Sequence, residues 1–197
     1  MALTENLVEE HKLIKRIIDV LENASNRLEK GENIALKIFE LATDFIRNFA
    51  DRFHHAKEED ILFKEMVKKG MPEKDSPIEA MLIEHEQGRE FVRGIIKAID
   101  GLKEGDKRAT AEIIKNARGY IGLLREHIDK EDDILYPLAE RMFKEEEKLS
   151  QLKKFKKAEL KKGGKKTVKK YENIAINLEA EFKRGKSKLQ RIELIRT

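Results

Sequence analysis

Apolar side chains recur at three- and four-residue spacing in four long stretches of this chain, which is the period of an amphipathic α-helix. Leu7, Ile14, Ile17, Ile18 and Leu21 line one face of the first stretch, which Thr4 can cap and which Gly31 ends after about Lys30. The second runs from about Asn33 to Lys69 and stops at Gly70 and Pro72. Ser76-Pro77 is a cap followed by proline at the first helical position. The third stretch that begins there carries Ile78, Met81, Val92, Ile95, Ile96 and Ile99, and Gly101 should stop it. Asp106 opens a fourth, with Ile113, Ala117, Leu124, Ile128 and Leu135 on one side, and Pro137 should kink or end it. Residues 144–197 read as two more helices, broken at Gly163-Gly164 and again at Gly185. Short connections between long amphipathic helices imply antiparallel neighbours. The predicted class is therefore all-α, an up-down-up-down four-helix bundle over residues 1–143 with a Lys-rich helical extension, residues 144–197, packing on it.

Composition narrows this picture. With 197 residues, 41% of them charged, and no long apolar run, a helical domain with its own core fits and a membrane-spanning helix does not. The polar start Met1-Ala2-Leu3-Thr4-Glu5 has neither a basic segment nor a long apolar one, so a cytoplasmic location is expected. There is no cysteine, which excludes disulfides, thiolate metal sites and iron–sulfur clusters. Any metal must be held by nitrogen and oxygen, and any electron donor must be another molecule.

The net charge of +4 hides an asymmetry: residues 144–197 carry 18 Lys/Arg against 8 Asp/Glu, leaving 24 against 30 in the rest. Between Lys153 and Lys170 stand ten lysines and one acid, Glu159. Without interleaved aromatics or arginines, this tract is read as a solvated helix face over Leu149, Leu152, Phe155 and Leu160, and nucleic acid is not the expected partner.

Four of the five histidines form two matched pairs. His54-His55-Ala56-Lys57-Glu58-Glu59-Asp60-Ile61-Leu62-Phe63 recurs as His127-Ile128-Asp129-Lys130-Glu131-Asp132-Asp133-Ile134-Leu135-Tyr136. Likewise Glu10-His11 with Lys15 matches Glu84-His85 with Arg89. At ~100° per residue, His11, His85 and His127 fall in the apolar stripes of their helices and His54 at the edge of its own. Residues four apart share a face, so each His-x-x-x-Glu aims an imidazole and a carboxylate at one point. One inward histidine is commonly just a core residue. Four of them with two carboxylates are not, because a buried carboxylate is costly unless paired or metal-bound. Imidazole plus carboxylate suits iron and its neighbours, so His11, His54, Glu58, His85, His127 and Glu131 are the candidate ligands. Glu59 and Asp132, at i+5, are the alternatives, and His55 turns ~100° away from His54, toward the surface or a supporting role. Tyr120, seven before His127, reads as a core tyrosine whose hydroxyl could also reach the candidate site.

With these residues in view the chain resembles a hemerythrin-like protein of the HHE cation-binding type, over roughly residues 4–180. The resemblance rests on Glu10-His11, His54-His55 with Glu58-Glu59 and Leu62-Phe63, Glu84-His85 with Arg89, and His127 with Glu131 and Leu135-Tyr136-Pro137. It implies a bundle holding two iron ions in a non-haem centre with carboxylate and oxo or hydroxo bridges. His11, His54, His85 and His127 would be terminal ligands, with Glu58 and Glu131 bridging. Oxygen-carrying hemerythrins place a fifth histidine four after the third-helix one, where this chain has Arg89, so water, His55 or a nearby acid such as Glu86 would fill that place or leave it open. Carriers also put an Asp five after the last histidine, which here is Asp132. Two functions follow from the resemblance: binding O2 or a related small oxidant for sensing, storage or delivery, or reduction of peroxide, O2 or nitric oxide with an external electron donor.

Overall fold

The computed structural model describes the backbone of residues 2–193 and side chains to residue 182, so the end of the 144–197 extension lies outside the described residues. Helix α1 (Glu5–Glu29) leads by a short loop into α2 (Leu36–Phe45). The second bundle helix then continues without a break through π-helical turns at Ile46–His55 and Glu58–Leu62 into α3 (Phe63–Lys68). The third is α4 (Pro77–Lys103). The fourth is α5 (Ala109–Lys130), extended through a π-helical turn at Glu131–Leu135 into α6 (Tyr136–Met142). Helices α7 (Glu145–Lys161) and α8 (Lys165–Glu193) complete the chain. Helix α1 packs on α2 and α5, and α4 on the same two, which closes the four-membered ring. The all-helical bundle is the predicted one. No helix among the described residues is long and apolar enough to cross a membrane.

Several predicted stops differ. Helix α4 runs through Gly101 to Lys103, and Gly105, at φ +91°, ends it. Pro137 does not end the fourth helix, because the wide turn just before it relieves the clash that proline makes with the carbonyl four residues back. Gly185 lies inside α8 and does not break it, whereas Gly163 and Gly164, both at positive φ, do separate α7 from α8. Thr4 stands at the start of α1, but its hydroxyl and N–H bond to Glu140 and not to the helix end. Ser76 does cap, accepting from the Glu79 N–H at 3.3 Å.

Two apolar clusters fill the bundle. The larger joins Ile14, Ile17, Phe45, Phe49, Val92, Ile95 and Leu124 to Tyr171 and Phe182 of α8. The smaller holds Leu3, Leu7, Phe63, Met66, Met81 and Tyr136 with Phe155 of α7. Both tail helices thus contribute to the interior. Beneath the lysine tract only Phe155 is fully buried, and Leu149 and Leu160 are exposed: α7 touches the bundle along a narrow seam. Between the two clusters lies a buried polar layer.

Candidate metal centre

The π-helical turns decide which side chains enter this layer. A π-helix bonds residue i to i+5 and turns less per residue than an α-helix. Consecutive side chains therefore diverge less, and His54 and His55 are both buried, as are Glu58 and Glu131. One group of donors gathers His11, His54, Glu58 and Glu131, with an atom of each within 4.8 Å of the others. A second gathers His55, His85 and His127 under the same limit. All six candidate ligands thus lie together. His55, expected at the surface or in a supporting role, is buried and lies with them: its ring stacks on His85 at 3.8 Å between centroids.

Glu58 and Glu131 tie the two groups. Glu131 Oε2 stands 3.3 Å from Nε2 of both His11 and His127. Glu58 Oε2 stands 3.6 Å from His54 Nε2 and 3.7 Å from His85 Nε2. Each carboxylate therefore faces one imidazole from either group.

The outer nitrogens explain the alternatives Glu59 and Asp132. Each Nδ1 meets a carboxylate of a neighbouring helix: Glu10 on His54 at 2.8 Å, Glu59 on His85 at 2.7 Å, Glu84 on His127 at 2.9 Å and Asp132 on His11 at 2.7 Å. These four contacts make a closed circuit, each helix supplying the acid for the next. An Nδ1–H donated outward leaves the Nε2 lone pair facing inward, as metal-binding imidazoles require. Behind each acid stands a cation: Lys57 on Glu10, Arg89 on Glu59 at 2.6 Å, Lys130 on Glu84 and Lys15 on Asp132 at 3.4 Å. The circuit had a sequence signal, the Glu-His dipeptide and the acid at i+5, each present twice. Arg89 belongs to this outer layer, where it also binds Asp51 at 2.9 Å. Its position is not empty space awaiting an imidazole. Glu86 is exposed and bonds Arg93 at 2.8 Å, outside the layer.

The inner donor atoms fit a metal ion. His54 Nε2, Glu58 Oε2 and Glu131 Oε1 are buried with no hydrogen-bond partner among the described residues, and Glu131 Oε2 is met by the His11 and His127 nitrogens at 3.3 Å; the unpartnered atoms cost stability unless a cation completes them. Protons supply part of the compensation. Burial, reinforced by the Glu131 charge, pushes Glu58 well above the usual carboxylate range, while His127 and His11 hold Glu131 well below it despite its burial. Burial also lowers His54, His55 and His85, keeping them neutral. Burial acts the same way on His127, but Glu131 and Glu84 outweigh it and hold that imidazole at about 9. A metal must displace the His127 proton. Apparent metal affinity should therefore climb as pH rises toward about 9 and level off above it; chelator competition at stepped pH measures the slope, and a flat profile below about 9 would contradict this protonation pattern.

A cavity of about 1130 Å³ between the Ile46–His55 turn, α4 and α5 reaches His55 and His85 past Asp51, Arg89 and Tyr120. The Tyr120 hydroxyl is buried and has no hydrogen-bond partner among the described residues.

A family model described as the hemerythrin HHE cation binding domain matches residues 2–139. Among similar proteins are the uncharacterised Mb2018 of Mycobacterium bovis and Rv1995 of Mycobacterium tuberculosis, each 24% identical over 134 residues, 68% of this chain and 51% of the relative. The chain thus spans about half the length of the curated relatives it matches. No solved structure matches it significantly.

Proposed function

Because this chain belongs to the hemerythrin HHE cation-binding domain family, we propose that it holds two iron ions and there binds O2 or a related small oxidant, for sensing, storage or delivery. The observation that carries this reading is the pair of buried carboxylates, Glu58 and Glu131, each facing one imidazole from either histidine group. Carboxylates so placed would bridge two ions. His11 and His54 would hold one ion, and His85 and His127 the other with His55 beside them. Iron at these positions supplies reversible electron transfer toward a small oxidant. The protein's own part is to fix the imidazoles through the outer acids, to keep the layer dry between two apolar clusters, and to admit ligand past Tyr120.

A second reading, reduction of peroxide, O2 or nitric oxide with an external electron donor, draws support from that cavity. It gives a small oxidant a route to His55 and His85, and without cysteine the chain has no thiol of its own to supply electrons.

Anaerobic reconstitution with Fe(II), elemental analysis and optical titration with O2 test both. Two irons per chain and a spectrum reversed by removing O2 support the first reading. Turnover of a peroxide or nitric oxide pulse supports the second. Negligible uptake of iron, manganese and zinc alike would sink the metal centre itself.

A further inference from the structure

Tyr136 is buried, and its hydroxyl lies among the inner donor atoms. It donates to Glu58 Oε1 and stands 3.3 Å from His11 Nε2. Its ring lies nearly parallel to that of His11, at 11° and 5.4 Å between centroids. Atoms bound to one ion at about 2.0–2.2 Å sit about 3 Å apart when they are neighbours in its shell. The Tyr136 oxygen keeps that spacing to His11 Nε2, so an ion held by His11 and Glu58 has this oxygen within reach.

The internal repeat sharpens the point. Tyr136 aligns with Phe63, and Phe63 stacks on His85 at 6.2 Å and 19° much as Tyr136 stacks on His11. Only the fourth-helix copy carries an oxygen. Conversely His55 aligns with Ile128, so only the second-helix copy carries an extra imidazole. The two departures from symmetry fall on opposite groups. His55 is the third side-chain donor beside His85 and His127, and Tyr136 is the third beside His11 and His54, with the two shared carboxylates serving both groups.

We propose that Tyr136 is itself a metal ligand, its phenolate oxygen binding the ion held by His11 and His54. This rests on the two-ion reading above. On binding, the O–H bond breaks, an O–metal bond forms and the proton leaves to solvent, with no electron transferred. A hard, anionic oxygen favours the ferric over the ferrous state. The His11/His54 half is thereby biased toward the ferric state.

The test compares ferric protein prepared from the full chain with its Tyr136→Phe, Tyr136→His and Tyr120→Phe variants. Expected are a visible phenolate-to-iron charge-transfer band and resonance-enhanced phenolate ring vibrations in the parent and in Tyr120→Phe. Tyr136→Phe should lose both completely. Tyr136→His, which keeps a donor, should retain two irons without the band. A parent with two irons and no phenolate vibrations, or a band that survives Tyr136→Phe, overturns the proposal while leaving the two-ion reading intact. A parent that takes up no iron overturns both.

Discussion

Replacing Glu131 by alanine is expected to abolish uptake of the metal pair. Replacing its neighbour Asp132 should only weaken uptake. Glu131 is fully buried and its Oε2 faces both His11 and His127 at 3.3 Å, so its loss removes the atom common to both halves. Asp132 touches only the outer nitrogen of His11, at 2.7 Å. Removing an acid of this kind typically costs about 10–100-fold in metal affinity. Isothermal titration with Fe(II) or Zn(II) separates the two cases. Equal loss in both variants would mean that Asp132 enters the inner shell, as in the oxygen carriers.

Lys57→Ala should be among the most destabilising single changes in the chain, and Lys130→Ala close to silent, although the repeat makes them equivalents. The Lys57 side chain is 1% exposed and is shared between Glu10 and Glu159, the latter at 2.9 Å on α7. It also lies over the Phe53 ring, 4.7 Å from its centroid. Taking it away leaves two acids facing each other near the interior. Removing one partner of a buried ion pair costs about 3–5 kcal/mol, which corresponds to a drop of roughly 6–20 °C in a domain of this size. Lys130 is 43% exposed, and water can replace its contact with Glu84 at a cost of about 0–1 kcal/mol. Thermal unfolding of the metal-free variants decides the matter, and equal midpoints would refute the asymmetry. With Lys57 in place Glu10 is still pushed up by burial to about 7, a sign of how little solvent reaches this side.

The bundle was legible because apolar spacing over Leu7–Leu21 or Ile78–Ile99 is long enough to allow only one period. Its stops were less so. Gly101 and Gly185 are tolerated inside helices, and Pro137 follows a turn wide enough to accept it, so local chemistry alone overstated three breaks. Beneath the lysine tract, the apolar positions Leu149 and Leu160 remain exposed, since a helix resting on a seam buries fewer side chains than its pattern suggests. In the candidate site the inward histidines and both i+4 carboxylates were visible from their repetition. The position of His55 was not: the assumed turn of ~100° per residue does not hold in π-helical segments. The outer acids were seen as residues but not as a circuit, because each pairs with a histidine of another helix. The role of Arg89 is hidden from the sequence for the same reason, its partners Asp51 and Glu59 lying on another helix.

The circuit of acids also determines how the centre would fail. Two of its links, Glu10 to His54 and Glu84 to His127, lie within a helical hairpin, and two, Glu59 to His85 and Asp132 to His11, run between hairpins. If the hairpins splay apart, the links within each survive and both links between them break. Each metal half then loses the orientation of one imidazole, His11 on one side and His85 on the other. If two ions are bound as proposed, damage to the packing would fall on both halves alike, and occupancy should tend toward all or none, with singly loaded chains scarce.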